Sequence, residues 1–111
     1  MLNQVVLVGR LVKELEVKQL ESGKKVANTA LAVSRNYRNE NGEYDADFID
    51  VVLWSGIVEN TAEYCHKGDL VGVKGRLETS IYETADGEKR RTTQVIAEKV
   101  TFLSSNKREE D

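Results

Sequence analysis

The sequence predicts an all-β fold, a five-stranded Greek-key barrel with one short helix between strands 3 and 4. Three features of its 111 residues favour this class. Five stretches have strand-like alternation or are rich in β-branched residues, a single segment has helical periodicity, and no proline interrupts the long strands. A closed Greek-key barrel fits this order of elements. An open α+β sheet is the alternative that the same order allows.

Composition indicates one folded, globular domain. The chain is 40% hydrophobic and 32% charged, and its length suits a single modest core. No apolar run reaches the roughly 18 residues of a membrane span, and the start of the chain does not resemble a secretory signal. We therefore expect a cytoplasmic protein without a membrane partner. The net charge of −3 means that binding a polyanion would require positive charge concentrated on one face.

The first three strands are predicted over residues 3–11, 26–38 and 45–54, with a weaker alternation over 14–20. Successive side chains of a strand point to opposite faces, so residues of the same parity share a face. In the second strand, the parity predicted to face the core contains Ala27, Thr29, Leu31 and Val33. Because this strand is long, we expect it to extend past the barrel, so that Arg35 and Tyr37, on the same parity, become exposed.

The third strand has one aliphatic face, formed by Ile49, Val51 and Leu53. Its other face carries Asp50, and a carboxylate is rarely buried without a partner. The aliphatic face is therefore predicted to be the core. Phe48 and Trp54, which share the parity of Asp50, should point away from it.

The remaining elements are a helix over residues 55–68 and strands over 70–83 and 89–103. Ser55 is the predicted helix cap, Gly68 the stop, and Val58, Ala62 and Cys65 the buried stripe. The fourth strand has an aliphatic parity (Val71, Val73, Leu77 and Ile81) opposite one that carries Lys74, Arg76 and Tyr82. The fifth has a phase slip near Glu98 and Lys99. Residues 1–104 form the predicted domain, and 105–111 a short polar, acidic tail.

The sequence has few residues suited to catalysis or metal binding. His66 is the only histidine and follows Cys65, the only cysteine, on the predicted helix, where adjacent side chains splay apart. The acids Glu43, Asp45, Asp47 and Asp50 lack calcium-loop spacing, and no glycine-rich phosphate loop is present. We predict no enzyme activity, no catalytic or metal site, and no cofactor.

Aromatic and basic residues give the strongest functional signal. Rings on several strands, each beside or in line with cations, are what a protein needs to stack bases and neutralise phosphates. The alternative is that a second sheet or subunit covers the rings. The predicted stacking residues are Tyr37, Phe48, Trp54 and Tyr82. The predicted phosphate contacts from the strands are Arg35, Arg38, Lys74, Arg76, Arg90 and Arg91. For Arg90 and Arg91, the alternative is that they are ordinary solvated residues at a strand end.

Several ordered segments resemble the bacterial single-stranded DNA-binding proteins, a homo-oligomeric family with the OB-fold, the five-stranded Greek-key barrel. They are MLNQVVLVGRL, VANTALAVSRNYR, ADFIDVVLW, AEYCHKG, GRLETSIYETADG and TTQVIAEKVTFL. The resemblance covers about residues 1–104. It places family ring positions at Tyr37, Phe48, Trp54 and Tyr82, supports Lys67 as a phosphate contact, and adds Arg10 and Arg38.

The resemblance implies a homotetramer that binds single-stranded DNA without sequence specificity and protects it in replication, recombination and repair, in association with the nucleoid. An OB-fold module for RNA or a protein partner is the alternative function. Asp50 and Glu78 lie where some relatives have cations. Replication and repair proteins are expected as partners only with a longer acidic tail, because Glu109, Glu110 and Asp111 are not followed by the Pro-Phe tip of the family.

Overall fold

A computed structural model describes residues 1–105, which form six strands and one helix. Residues 106–111, most of the predicted tail, lie outside the described residues. The elements are β1 (Val5–Leu11), β2 (Lys18–Gln19), β3 (Lys25–Arg38), β4 (Tyr44–Trp54), α1 (Ile57–Tyr64), β5 (Leu70–Glu83) and β6 (Lys89–Ser104).

Five of the strands close into a barrel. Their order is β1-β5-β6-β4-β3, and β1 pairs back onto β3 to complete the circuit. All pairings are antiparallel except that of β4 with β6. The two-residue strand β2, which lies within the weak alternation over residues 14–20, joins the edge of β3. The predicted five-stranded barrel is confirmed, and the open α+β sheet is wrong.

Two glycines allow the strands to approach closely. A Cβ on Gly9 would lie 2.7 Å from the carbonyl oxygen of Ala32, at the pairing of β1 with β3. A Cβ on Gly75 would collide with the carbonyl oxygen of Ile96 across β5 and β6. Only residues without a side chain let these backbones approach so closely. Gly9 therefore permits closure of the barrel.

The core lies inside the barrel and under α1. Six residues contribute the largest fully buried side chains: Leu31, Val51, Leu53, Val58, Val71 and Val95. The predicted core parity of β3 and β4 is thus confirmed. Leu77 and Ile81 were predicted to join this core but are exposed. The far halves of β5 and β6 extend beyond the barrel as a hairpin, so their core-facing parity has nothing to pack against.

The helix is shorter than the sequence predicted. It begins at Ile57 and ends at Tyr64, with Gly56 rather than Ser55 in the capping position. The Ser55 hydroxyl oxygen instead accepts a hydrogen bond from the backbone N–H of Lys25 (2.7 Å). The Glu59 carboxylate accepts one from the Gly56 N–H (2.6 Å) and holds the first turn. No helix within residues 1–105 has the length and apolar character needed to cross a membrane.

Three register shifts interrupt the strand pairings, two between β5 and β6 and one between β3 and β4. Along β6, Lys99 pairs with Lys74 while Ala97 pairs with Gly75, so Glu98 is the extra residue. This confirms the predicted phase slip. Along β3 the register shifts between Ser34 and Arg38, and the extra residues belong to β3 rather than β4. Alternation on β4 is therefore continuous from end to end.

Candidate nucleic-acid interface

The outer face of β4 displays two large aromatic side chains. Phe48 is 68% exposed and Trp54 is 40% exposed, whereas Val51 and Leu53, on the other parity, are buried. Asp50 lies between the two rings on their face and is also exposed. The predicted orientation is therefore correct for Phe48, Asp50 and Trp54, but Val52, on the same face next to Trp54, is buried. These rings can meet a flat ligand that lies along the strand.

Small side chains on β3 keep Phe48 accessible, whereas Trp54 lies opposite Val26. Ala32 lies directly opposite Phe48, and Ala30 lies opposite Asp50. Arg10 on β1 pairs with Ala32 on the opposite edge of β3. The residues Arg10, Ala32 and Phe48 therefore form a row across the three neighbouring strands β1, β3 and β4. At about 4.8 Å between strands, the row spans about 10 Å.

A cleft of about 360 Å³ lies between β1 and β3 beside this row, lined in part by Val8, Arg10 and Ser34. The Arg10 guanidinium donates a hydrogen bond to the carbonyl oxygen of Gly68 (2.9 Å). The contact fixes the side chain at the cleft, where its remaining N–H groups can still reach an anion.

Arg35 is paired with a carboxylate within the chain. Its Nη2 lies 2.7 Å from Asp47 Oδ1, and its Nε lies 3.2 Å from both carboxylate oxygens. The hydrogen bonds and charge of Asp47 raise the pKa of the Arg35 guanidinium, and Arg35 in turn lowers the pKa of Asp47. Phosphate can bind Arg35 only by displacing Asp47. Tyr37, two residues on, lies in the β3 bulge and is exposed, as predicted.

Arg38, at the end of β3, lies directly opposite Tyr44 on β4. Its guanidinium carbon is 5.3 Å from the centroid of the Tyr44 ring. This is cation–π distance. Tyr44 was missed by sequence reasoning because it had been assigned to the turn, although it continues the parity of Phe48 and Trp54.

Tyr82 lies on the β5–β6 hairpin. It is exposed and pairs directly with Arg90 across the hairpin. Arg90 also contacts Glu88 (2.9 Å). Arg91 pairs instead with Ile81, on the other face. The two arginines predicted together are thus separated by alternation, and only Arg90 shares the face of Tyr82.

Farther down the hairpin, two lysines face each other. Lys74 on β5 pairs directly with Lys99 on β6, and both are exposed. Neither has an ion-pair partner within residues 1–105. Like charges in this arrangement repel, so the pair marks a local positive site. Sequence reasoning missed Lys99 because the extra residue at Glu98 changes the face to which the following side chains point, and alternation along one strand does not show this. Arg76, in contrast, contacts Glu78 (3.2 Å) and Glu98 (3.9 Å).

Lys67 lies in the loop after α1, next to His66. The Glu14 carboxylate accepts a hydrogen bond from the Lys67 backbone N–H (3.0 Å) and lies 3.2 Å from His66 Nδ1. The Lys67 side chain is exposed. Cys65 is buried, and burial raises the pKa of its thiol. Among the described residues, no group of three His, Cys, Asp or Glu side chains is placed to hold a metal ion.

The predicted residues therefore form separate parts of the barrel surface rather than one cluster. Phe48 and Arg10 lie in one row on the β1–β3–β4 face, and Trp54 lies six residues farther along β4, about 20 Å from Phe48. Tyr82 and Arg90 lie on the projecting hairpin. Exposed rings with nearby cations can stack bases and contact phosphates at successive points along a strand.

The chain is similar to known proteins in both sequence and fold. Residues 2–103 match the model of the single-strand binding protein family. The chain is 45% identical over 109 residues to single-stranded DNA-binding protein B of Bacillus subtilis, covering 98% of this chain and 96% of that protein. It is 48% identical over 103 residues to the single-stranded DNA-binding protein of Bacillus cereus, covering 93% of this chain and 61% of that protein. The fold is similar to that of the Plasmodium falciparum SSB in complex with single-stranded DNA. The TM-score is 0.81 and the identity 28%, with 94% of this chain and 97% of that chain covered.

Proposed function

Because the chain belongs to the single-strand binding protein family, we propose that it binds single-stranded DNA without reading base sequence and without catalysing a reaction. The observation that carries this proposal is the exposure of Phe48 and Trp54 on the outer face of β4, with the small residue Ala32 directly opposite Phe48. Every base has a π-face, so stacking on such rings tolerates any sequence.

The proposed stacking residues are Tyr37, Phe48, Trp54 and Tyr82. The proposed phosphate contacts are Arg10, Arg35, Arg38, Lys67, Lys74, Arg76, Arg90 and Arg91. All of them lie on the domain proposed for residues 1–104. Each ring that stacks a base contributes on the order of 1 to 3 kcal/mol. The cations make binding salt-dependent, because they displace the counterions of the DNA backbone.

We further propose a homotetramer. Its support in the structure is an apolar outer face on β1, where Val6 is 71% exposed and Val8 is 51% exposed. Adjacent exposed aliphatic side chains on a strand are typical of a surface that another chain covers. Light scattering across micromolar concentrations should give four times the protomer mass. A protomer mass throughout that range would rule out the tetramer.

The proposed setting is the nucleoid in the cytoplasm, where exposed single strands arise in replication, recombination and repair. Binding there would protect the strand and remove its secondary structure. Recruitment of replication and repair proteins is proposed only for a chain with a longer acidic C-terminal tail.

The test uses the single tryptophan. Oligo-dT is titrated into the protein at low and high salt, and Trp54 fluorescence is followed, with duplex DNA as the control. We expect strong quenching by the single strand alone, because a stacked base contacts the indole. Affinity should fall steeply with salt. If neither fluorescence nor a second binding probe detects the single strand, the proposal fails.

Competition with oligo-rU separates DNA from RNA as the preferred ligand. If RNA displaces DNA at equal concentration, the protein is a general single-strand binder. If the rings bind no nucleic acid at all, the face is a protein interface.

A further inference from the structure

The ring-bearing face of β4 continues past Phe48 to Tyr44, at the β3–β4 turn. Alternation on β4 is uninterrupted, so Tyr44 points to the same side of the strand as Phe48 and Trp54. Its side chain is 56% exposed. At about 3.3 Å per residue, Tyr44 lies about 13 Å from Phe48 along the strand. A ligand that follows β4 across Phe48 reaches this ring.

The contact with Arg38 leaves Tyr44 available. The guanidinium lies over one face of the ring, 5.3 Å from its centroid, and the Tyr44 side chain remains exposed despite this contact. A stacked guanidinium keeps its N–H groups in its own plane, where they can bind an anion. Within residues 1–105, Arg38 has no ion-pair partner, whereas Arg35 is held by Asp47.

The acidic residues around the turn do not oppose an anionic ligand at this point. Asp45 and Asp47 alternate with Tyr44 and therefore point to the other side of β4. The Asp45 carboxylate accepts a hydrogen bond from the Asn39 side chain (3.0 Å). From Tyr44 to Phe48 the ring-bearing face carries only Ala46 between the two rings. The alternation separates the negative side of β4 from its aromatic side.

We propose that Tyr44 and Arg38 form a further single-stranded DNA site, in which Tyr44 stacks one base and Arg38 contacts an adjoining phosphate. The proposal rests on the proposed function and extends it. The site lengthens the aromatic track of Trp54 and Phe48 by about 13 Å, enough for a few nucleotides. Tyr44 lies outside the set of rings that the resemblance implies, whereas Arg38 is already one of the proposed phosphate contacts.

The test compares substitutions in the full chain by the same oligo-dT titration. Tyr44→Ala should weaken binding about tenfold, as expected for one lost stack. Tyr44→Phe keeps the ring and should stay within about twofold of the original chain. Tyr64→Ala is the matched control, because Tyr64 on α1 is comparably exposed but lies off the β4 face. Thermal unfolding checks that each variant is folded.

Arg38→Gln tests the phosphate contact. The substitution should weaken binding. It should also make the plot of log affinity against log salt concentration less steep by about 0.7, the contribution of one phosphate on a single strand. If Tyr44→Ala binds within about twofold of the original chain while Trp54→Ala is weakened, Tyr44 only packs against Arg38 and this inference is wrong. If the original chain fails to bind single-stranded DNA at all, the proposed function itself is wrong.

Discussion

At the scale of single residues, Asp50 is the feature least suited to binding an anion. It is exposed on the ring-bearing face between Phe48 and Trp54. A phosphate that passes between the rings meets this carboxylate, and two unit charges about 4 Å apart in water interact by about 1 kcal/mol. Asp50 should therefore weaken the binding proposed for the rings.

We expect Asp50→Asn to tighten binding of oligo-dT about two- to fivefold at low salt, with a smaller gain at high salt because ions screen the repulsion. The measurement is Trp54 quenching at several salt concentrations. Asp45→Asn is the matched control, since Asp45 lies on the other side of β4 and should leave affinity unchanged. An equal gain in both variants would mean that net charge, and not position, decides the effect.

Residue orientation is also where sequence reasoning succeeded best. Alternation and the improbability of burying Asp50 were enough to place Phe48 and Trp54 on the surface. The same reasoning fails where a bulge shifts the parity, as at Lys99. It also fails where a residue is assigned to a turn, as at Tyr44. A bulge depends on how two strands pair, which one strand's pattern does not reveal.

At the scale of elements, closure of the barrel depends on the absence of a side chain at Gly9. A Cβ there would lie 2.7 Å from the Ala32 carbonyl oxygen, and a backbone atom cannot move aside as the end of a flexible side chain can. We expect Gly9→Ala to destabilise the fold by about 1 to 3 kcal/mol, a typical cost of overpacking.

The control for Gly9→Ala is Gly72→Ala, on β5. A Cβ at Gly72 would have ordinary contacts, the nearest being Leu103 Cδ1 at 3.7 Å. Its free energy of unfolding in denaturant should match or slightly exceed that of the original chain. Equal losses in both variants would show that strand glycines matter here for a reason other than the β1–β3 approach.

The loop after β1 is held to the loop after α1 by Glu14. The backbone N–H of Lys67, and then the His66 side chain, lower the pKa of the Glu14 carboxyl below its ordinary value. A carboxyl with a lowered folded-state pKa stabilises the fold above its unfolded-state pKa and loses that effect as pH falls through the folded value. This stabilisation should therefore disappear on acidification below about pH 4.5.

We expect Glu14→Gln to lower the melting temperature near neutral pH, and the difference from the original chain to shrink as pH falls to about 3. Circular dichroism melts across this range provide the measurement. Glu16→Gln is the control, because Glu16 is exposed and its carboxylate makes no hydrogen bond within residues 1–105. A difference that persists unchanged at low pH would mean that Glu14 acts through packing instead of charge.

The errors in the predicted elements share one physical cause. The order of strands and helix followed from local patterns, but the point at which the barrel ends did not. Leu77 and Ile81 have the pattern of core residues, yet they lie on the part of β5 that projects beyond the barrel, where no core covers them. Ser55 has the chemistry of a helix cap, yet its hydroxyl binds the backbone of Lys25, 30 residues away. These outcomes depend on tertiary contacts, which local pattern does not contain.

At the scale of the whole molecule, the net charge of −3 makes long-range attraction to DNA weak. Several proposed phosphate contacts are also neutralised internally, since Arg35, Arg76 and Arg90 each contact a carboxylate. When such an arginine transfers to a phosphate, the DNA releases a counterion but the freed carboxylate takes one up. The exchange adds almost nothing to the salt dependence.

The salt slope should therefore be smaller than the number of cations suggests. Eight phosphate contacts on a single strand would give a slope of about −5.6, whereas the five cations without a carboxylate partner within residues 1–105 give about −3.5 per protomer. Asp47→Asn removes the internal partner of Arg35 and should steepen the slope by about 0.7, with Asp45→Asn as the unchanged control. The slope is measured as log affinity for oligo-dT against log salt concentration. A slope near −5.6 in the original chain would mean that the three carboxylates do not compete with DNA, and that the ion pairs leave their arginines free to bind phosphate as well.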